Sequence, residues 1–215
     1  MLNVYGRKSS FNLQKVMWLV DELGIAHKHV ELGGSFGGLD TAEFLAMNPH
    51  GRVPVIDDSG VVVWESHAIL RYLAAKYAPG NFWNADPAER AKADQWMDWS
   101  QTALQVAFLN GVFWGWYRTP EAKRNMVAVN AAFERTNGYL RHVDRQLDGH
   151  SFILGDRLSL ADIPIGTHLH RYFNLDLPRP SLPNVEHWYE RLQSRPAYRM
   201  HVCIPFGELC GRLEF

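Results

Sequence analysis

The pattern of hydrophobic and polar positions divides the chain into two parts. Through residues 1–80, short runs of alternating apolar and polar residues are interleaved with stretches in which apolar residues recur every three or four positions. The first pattern is typical of strands and the second of helices, and together they predict the order β-α-β-α-β-β-α. From residue 88 to 215 only the helical period remains. We therefore expect an α/β domain over residues 1–80 and an all-helical domain over residues 88–215.

Residues that start or end elements refine this order. Asp40, with Glu43 three residues later, predicts a capping box for a short helix. Asp58-Ser59-Gly60 predicts the turn of a hairpin, and Ser66 the N-cap of the helix after it. In the helical part, Thr119-Pro120 predicts an N-cap and a first helical residue for a long helix.

Composition and charge limit the classes of function. The chain has 215 residues, of which 47% are hydrophobic, so it can bury a sizeable core. The net charge of -1 gives no excess that would attract nucleic acid or an anionic membrane. No apolar run approaches the roughly 18 residues of a membrane helix, and the start of the chain lacks a secretory signal. We therefore expect a cytoplasmic protein without a nucleic-acid or membrane partner.

Cysteine and histidine usage limits the chemistry further. Only Cys203 and Cys210 are present, at a spacing that suits neither a disulfide framework nor a zinc or redox motif. His168 and His170 have no cysteine or carboxylate nearby at ligand spacing, so no metal site is expected. Any thiol chemistry must use a thiol from outside the chain.

The segment Asn48–Val55 contains a proline one residue into a predicted strand. Because proline cannot donate a ladder hydrogen bond, Pro54 implies an edge or an interrupted strand. A cis Val53-Pro54 bond would point the amide and carbonyl of Val53 outward, where they can pair with an extended peptide. The alternative is an ordinary edge proline.

Glu65-Ser66 marks the point where a predicted strand ends and a helix begins. A serine hydroxyl, the free amides of the first turn and the positive helix end can receive a carboxylate. Glu65 beside them can receive an ammonium group, so the pair suits an α-amino acid headgroup. The alternative is a plain N-cap beside a solvated glutamate.

The loop Arg7–Asn12 joins the first strand to the first helix. A hydroxyl or amide aimed at a sulfur, close to a helix N-terminus, favours thiolate over thiol. Ser10 and Asn12 are therefore candidates for activating a bound thiol. Simple capping of the helix by the serines is the alternative.

In their order and spacing, these motifs resemble the glutathione transferase family across essentially the whole chain. The matching patterns are N-P-x-G-x-V-P, then E-S-x-A-I-x-R-Y-L beginning eleven residues after Pro54, and S-L-A-D after Gly155-Asp156. The resemblance implies a thioredoxin-like N-terminal domain that binds glutathione, and an all-α C-terminal domain that supplies the second-substrate pocket. It also implies a homodimer.

The resemblance implies contacts for each part of glutathione. Val53 would pair its backbone with the cysteinyl part, just before a cis Pro54. Glu65 and Ser66 would hold the γ-glutamyl headgroup.

For the remaining, glycyl part of glutathione, the resemblance implies that His50 and Arg52 neutralise the carboxylate. For the thiolate, Ser10 matches the serine of theta-like members and Asn12 the asparagine of some bacterial, nu-like members. Both alternatives stay open.

Departures from other classes narrow the mechanism. Tyr5 lies inside the first strand, which argues against the tyrosine mechanism of the alpha, mu and pi classes. No cysteine precedes Cys203, which excludes a mixed disulfide through the chain's own thiol as in beta and omega members. Ser159 and Asp162 match the family's helix-capping element, whose role is folding and not catalysis.

An aromatic cluster lies where the resemblance implies the second-substrate pocket. Its members fall within ten positions, with Arg118 directly after them: Phe108, Phe113, Trp114, Trp116 and Tyr117. Core or dimer-interface packing is the alternative for each ring, and a solvated side chain is the alternative for Arg118.

The sequence thus predicts a glutathione transferase that uses glutathione thiolate to attack a small, mainly apolar electrophile. One rival is a glutathione-dependent disulfide or peroxide reductase. The other is a non-catalytic binding protein that kept the fold, because fold alone does not establish function.

Overall fold

A computed structural model describes residues 1–213 of the chain, which form two compact units. The first unit comprises Met1–Ala85 together with Pro196–Ile204. The second comprises Asp86–Arg195 and the segment that begins at Pro205. The chain therefore leaves the first unit, builds most of the second, and returns to the first near its end. The domain bounds 1–80 and 88–215 stay a prediction.

The first unit contains a four-stranded sheet. Its strands are β1 (Leu2–Tyr5), β2 (His27–Val30), β3 (Val55–Asp58) and β4 (Val61–Trp64). They lie in the order β2-β1-β3-β4, with β1 parallel to β2 and the other two pairs antiparallel. Ser59 and Gly60, both with positive φ, form the turn between β3 and β4, as predicted.

The helices of residues 1–85 follow the predicted order. They are α1 (Phe11–Glu22), α2 (Ala42–Met47) and α3 (Ser66–Tyr77). The order β-α-β-α-β-β-α is thus confirmed, but the cap predicted for α2 is wrong. Thr41 caps that helix in place of Asp40, because the Thr41 hydroxyl accepts the Phe44 amide at 3.3 Å.

The second unit is helical, as predicted. Its α-helices are α4 (Pro87–Trp99), α5 (Met126–Gln146), α6 (Asp162–Asn174) and α7 (Pro183–Gln193). After α4 the chain continues in π-helical form through Ser100–Leu104 and Val106–Arg118. We call Val106–Arg118 the π segment.

The start predicted for the long helix α5 is wrong. A short 3₁₀ turn, Glu121–Lys123, follows Thr119-Pro120, and the helix begins only at Met126. Asn125 is its cap, since the Asn125 side-chain oxygen accepts the Ala128 amide at 3.1 Å. The fixed φ of Pro120 suits the extended conformation found there as well as a first helical turn.

The last helix, α8 (Pro196–His201), belongs to the first unit and packs on α1. The rings of Trp18 and Tyr198, both completely buried, meet edge to face at 4.7 Å between centroids. His201 Nε2 lies 2.6 Å from a carboxylate oxygen of Asp21. A late segment of the chain thus completes the core of the first unit.

Within residues 1–213, no helix combines the length and apolar character needed to cross a membrane.

Candidate active site

The sheet register brings three connections to one end of the sheet. Tyr5 pairs with Val55, and Val55 pairs with Trp64. The loop after β1, the segment before β3 and the residue after β4 therefore begin side by side. A side-chain carbon added at Gly6 would lie 3.1 Å from Cβ of Val53, so two of these connections are in close approach.

The Val53-Pro54 peptide bond is cis, as predicted. Buried Asn48 braces the segment before it, donating from its amide to the Arg52 carbonyl at 2.8 Å and accepting the His50 amide at 3.1 Å. The backbone amide and carbonyl of Val53 have no hydrogen-bond partner within residues 1–213. Both groups are therefore available to pair with an added strand.

The side chains of His50 and Arg52 lie in the same segment and are exposed. The His50 ring meets the Trp64 ring edge to face, with centroids 5.2 Å apart. His50 is thus held beside the end of β4, and Arg52 extends from the residue before Val53.

Glu65 and Ser66 join β4 to α3. Ser66 was predicted as the N-cap of α3, but it is the first helical residue and Glu65 is the cap. The Ser66 side chain is only 4% exposed, and its hydroxyl makes no hydrogen bond within residues 1–213. The amides of the first helical turn have no intrahelical partner either, so this end of α3 is a positive, donor-rich surface.

Glu65 adopts an unusual backbone conformation, with φ of 69° and ψ of 118°. A non-glycine residue with positive φ is disfavoured by about 1–3 kcal/mol and persists only where its surroundings fix it. Its side chain is exposed and makes no capping hydrogen bond with the helix. The carboxylate is thus held beside the start of α3 without serving as a cap.

A buried lysine that belongs to none of the predicted motifs contacts the first turn of α3. Lys15 of α1 is 1% exposed, and its Nζ lies 3.3 Å from Nε2 of buried His67. Burial lowers the pKa of Lys15 to about 7, although Glu65 acts to raise it. A charged residue within the buried run Leu13–Val20 was the available sequence signal.

Ser10 and Asn12 lie at the start of α1. Ser10 is its N-cap, with the hydroxyl oxygen 3.4 Å from the Leu13 amide, so the predicted alternative of capping holds for Ser10. The hydroxyl proton is not donated to any group within residues 1–213. The side-chain oxygen of Asn12 is buried and has no hydrogen-bond partner among those residues. A buried polar atom without a partner is unfavourable unless a ligand or water satisfies it.

The chain's own thiols are those of Cys203 and Cys210. Burial raises the pKa of Cys203 to about 11, which keeps that thiol protonated near neutral pH. Cys210 is exposed. Tyr5 lies in β1, as predicted. Burial is the larger cause and the negative charge of Asp57 the smaller cause of a raised pKa for the Tyr5 hydroxyl.

The aromatic residues predicted for the second-substrate pocket differ in exposure. Phe108 and Phe113 are completely buried and pack inside the second unit, which is the core role that the sequence left open. Trp114 is 38% exposed, and Tyr117 is half-buried.

Arg118 is not a solvated side chain. It is 3% exposed, it donates from Nε to the Arg212 carbonyl at 2.7 Å, and it stacks on Trp114 at 3.9 Å. These contacts hold the segment near Arg212 against the end of the π segment.

Taken together, the β2-β1-β3-β4 sheet, the unpaired backbone groups of Val53 and the donor-rich end of α3 are features of a thioredoxin-like unit. The helical unit that follows corresponds to the C-terminal domain expected in the glutathione transferases. Comparisons with known proteins agree with this class. Residues 1–75 match the model of the glutathione S-transferase N-terminal domain, and residues 126–191 match that of the C-terminal domain.

Individual relatives match over nearly the whole chain. Glutathione S-transferase GstB of Escherichia coli is 37% identical over 207 residues, which cover 95% of this chain and 99% of that protein. The glutathione-bound crystal structure of a theta class glutathione S-transferase from Xanthomonas axonopodis pv. citri matches with a TM-score of 0.88. That match has 41% identity and covers 95% of this chain and 98% of that one.

The chain therefore belongs to the glutathione transferase family, and the predicted family, fold class and transferase function are confirmed.

Proposed function

We propose that this enzyme binds glutathione at the end of the sheet where Tyr5, Val55 and Trp64 lie side by side. We further propose that it ionises the glutathione thiol for attack on a small, mainly apolar electrophile. The register of the sheet carries the proposal, because it gathers the Val53 segment, the start of α3 and the loop before α1. Each of the three offers groups suited to a different part of the tripeptide.

The unpaired backbone groups of Val53 support a contact with the cysteinyl part of glutathione. An amide and a carbonyl on one residue can form two hydrogen bonds with an extended peptide, as a strand does. Such a contact fixes the direction of the tripeptide but recognises no side chain, so specificity must come from its two ends. His50 and Arg52, both exposed in the same segment, are placed in this proposal at the glycyl carboxylate.

The start of α3 supports recognition of the γ-glutamyl headgroup. The unpartnered Ser66 hydroxyl and the amides of the first turn can donate to the α-carboxylate, which the helix dipole also favours. Glu65 can accept from the α-ammonium group. The positive φ of Glu65 supports this role, because the conformation keeps its carboxylate beside the donors without engaging them.

Thiol ionisation is assigned in this proposal to Ser10 or Asn12. The Ser10 hydroxyl can donate its proton to a thiolate while its oxygen still accepts from Leu13. Asn12 can offer its amide donors after a half-turn of the side-chain amide, which exchanges the positions of its nitrogen and oxygen. That exchange is required because the unpartnered buried atom of Asn12 is the amide oxygen, which accepts hydrogen bonds and cannot donate to a thiolate.

In the proposed reaction the thiolate sulfur attacks an electrophilic carbon and forms a carbon–sulfur bond. In a substitution the halide leaves with its bonding pair, whereas in a conjugate addition the resulting carbanion takes up a proton. The enzyme contributes orientation and a lower thiol pKa. Trp114 and Tyr117 are the aromatic residues we assign to contact with the electrophile, since both retain exposure.

A titration of bound glutathione tests the proposal. We expect the thiolate absorbance of the wild-type complex to titrate below the ordinary thiol pKa of about 8.5. Replacing the residue that contacts the sulfur with alanine should raise the pKa of the bound thiol by about one unit or more. The same replacement should lower the turnover of a halo-nitroaromatic substrate. Ser181→Ala, at an exposed position of the second unit, is the control.

Two readouts separate the candidates. Ser10→Ala also removes a helix cap and should lower the free energy of unfolding by about 1 kcal/mol, whereas Asn12→Ala removes no hydrogen bond found among residues 1–213. A wild-type complex with an unshifted thiol pKa would contradict catalysis by thiol ionisation. Disulfide reduction measured in parallel would reveal a reductase as the main activity.

We also propose that the enzyme is a cytoplasmic homodimer, as the family resemblance implies. The molar mass in solution, measured by light scattering, tests the dimer. A monomer at micromolar concentration would contradict it.

A further inference from the structure

A cation buried beneath the proposed headgroup site has no role in the function described so far. Lys15 is almost completely inaccessible, although lysine is among the residues least often buried. Burial of a charged group is costly, so a buried lysine is a candidate for a functional role.

The position of Lys15 relative to α3 suggests that role. Its Nζ lies 3.3 Å from His67 Nε2, and Glu65 acts on it electrostatically, so Lys15 interacts with both residues that flank Ser66. Within α1, the ring of Phe11 lies 4.9 Å from Nζ. Lys15 therefore contacts the first turn of α3, which is proposed to receive the α-carboxylate and α-ammonium groups.

Two charged groups on neighbouring elements, His201 of α8 and Asp58 of β3, have partners other than Lys15. From α8, His201 bonds to Asp21, and Tyr198 packs on Trp18. From the sheet, buried Asp58 is engaged by Lys76. Glu65 and His67 are titratable groups that interact with Lys15.

We propose that Lys15 is a positioning residue that takes up a proton when the headgroup carboxylate binds at the start of α3. This inference rests on the proposed function. In the empty site, the positive helix end and the dry surroundings disfavour the ammonium form of Lys15. A bound carboxylate reverses part of that effect, so the protonated lysine and the ligand stabilise each other.

The coupling between protonation of Lys15 and ligand binding predicts how affinity depends on pH. Because burial lowers the pKa of Lys15 to about 7, the empty site loses the lysine proton as the pH rises through 7. Ligand binding raises that pKa, so affinity must be highest below pH 7 and must fall above it. A rise of one unit corresponds to a roughly sixfold loss of affinity between pH 6.5 and 8.5, and to uptake of about half a proton per site at pH 7.5.

S-methylglutathione is the appropriate probe, because it keeps the headgroup and has no thiol to ionise. We would measure its affinity across that pH range by calorimetry, and the protons exchanged by repeating the titration in buffers of different ionisation enthalpy. Wild type should show both the fall in affinity and the proton uptake. Lys15→Met, an apolar replacement of similar length, should lose both, and Lys28→Met, at an exposed position on β2, should retain both.

His67→Gln identifies the carrier of the proton. Uptake that persists in this variant supports Lys15, whereas uptake that vanishes with His67 and survives in Lys15→Met overturns the inference. Wild-type binding without any proton uptake also overturns it, even if Lys15→Met fails to fold. Absence of S-methylglutathione binding by wild type would instead overturn the proposed function, and this inference with it.

Discussion

Asp162 is a single carboxylate that fixes the start of a helix. It is completely buried, and it accepts from the Ile153 amide at 2.8 Å and from the Ser159 amide and hydroxyl at 2.8 and 2.7 Å. Burial raises the pKa of Asp162 to about 6, against the effect of these donors. Near neutral pH the carboxylate is therefore mostly ionised and able to accept all three bonds.

We expect Asp162→Ala to lower the free energy of unfolding by about 3 kcal/mol or more, because it leaves three donors without their acceptor. Ser159→Ala should cost about 1 kcal/mol, the usual value for a lost cap. Chemical denaturation at pH 7 measures both, with Asp156→Ala at an exposed position as the control. A loss for Asp162→Ala no larger than that for Ser159→Ala would contradict the role assigned to the buried carboxylate.

For single residues, the sequence identified the positions that take part in helix capping more reliably than the hydrogen bonds that each of them makes. Ser159 and Asp162 were predicted to belong to a helix-capping element, but the donor from Ile153 comes from a loop that no local pattern connects to the helix. Likewise, the cap predicted at Ser66 lies one residue earlier, at Glu65. Cap assignment depends on the φ and ψ angles of single residues, which composition and periodicity do not determine.

Two glycines allow the π segment and α5 to pack closely. A side-chain carbon added at Gly111 would lie 2.5 Å from Cβ of Ala132, and one at Gly115 would lie 3.2 Å from a methyl group of Val129. Real Cβ contacts do not reach the first of these distances, so any side chain at Gly111 must push the two helices apart. Glycine is therefore required at this crossing for space, and not for backbone freedom.

We expect Gly111→Ala to lower the free energy of unfolding by about 1–3 kcal/mol, as overpacking of a close contact usually does. Gly138→Ala is the matched control, because Gly138 lies in α5 with nothing within 4 Å of an added Cβ. That variant should be more stable by up to about 1 kcal/mol, the gain in helix propensity. Thermal unfolding measures both, and a stabilising Gly111→Ala would contradict the crossing described here.

Sequence periodicity predicted the type of each element more reliably than its hydrogen bonding. The apolar spacing around Phe108 and Phe113 predicts a helix, and both rings are buried in one. The same spacing does not distinguish bonding from i to i+4 from the i to i+5 pattern of the π segment, since both bury a similar stripe. The aromatic cluster was therefore found, but which of its members keep exposure was not.

At the scale of the whole molecule, the chain path links the two units. The first unit is built from residues 1–85 and from Pro196–Ile204, which follows the helices of the second unit. The contact of Trp18 with Tyr198 joins these distant segments, and neither side chain is accessible. No sequence pattern in α8 indicates this partner, because a short helix with two buried residues fits either unit equally well.

The stability of α1 should therefore depend on α8, although about 180 positions separate His201 from Asp21 in sequence. We expect Tyr198→Ala to cost about 3–5 kcal/mol, the usual range for a large buried aromatic side chain. Amide hydrogen exchange should become faster throughout α1 as well as in α8, because the cavity removes packing from Trp18. Met200→Ala, at a side chain that is 64% exposed, should leave both exchange rates near those of wild type. If Tyr198→Ala accelerated exchange in α8 alone, the prediction would be contradicted. Residues 1–85 would then form a core whose stability does not depend on α8.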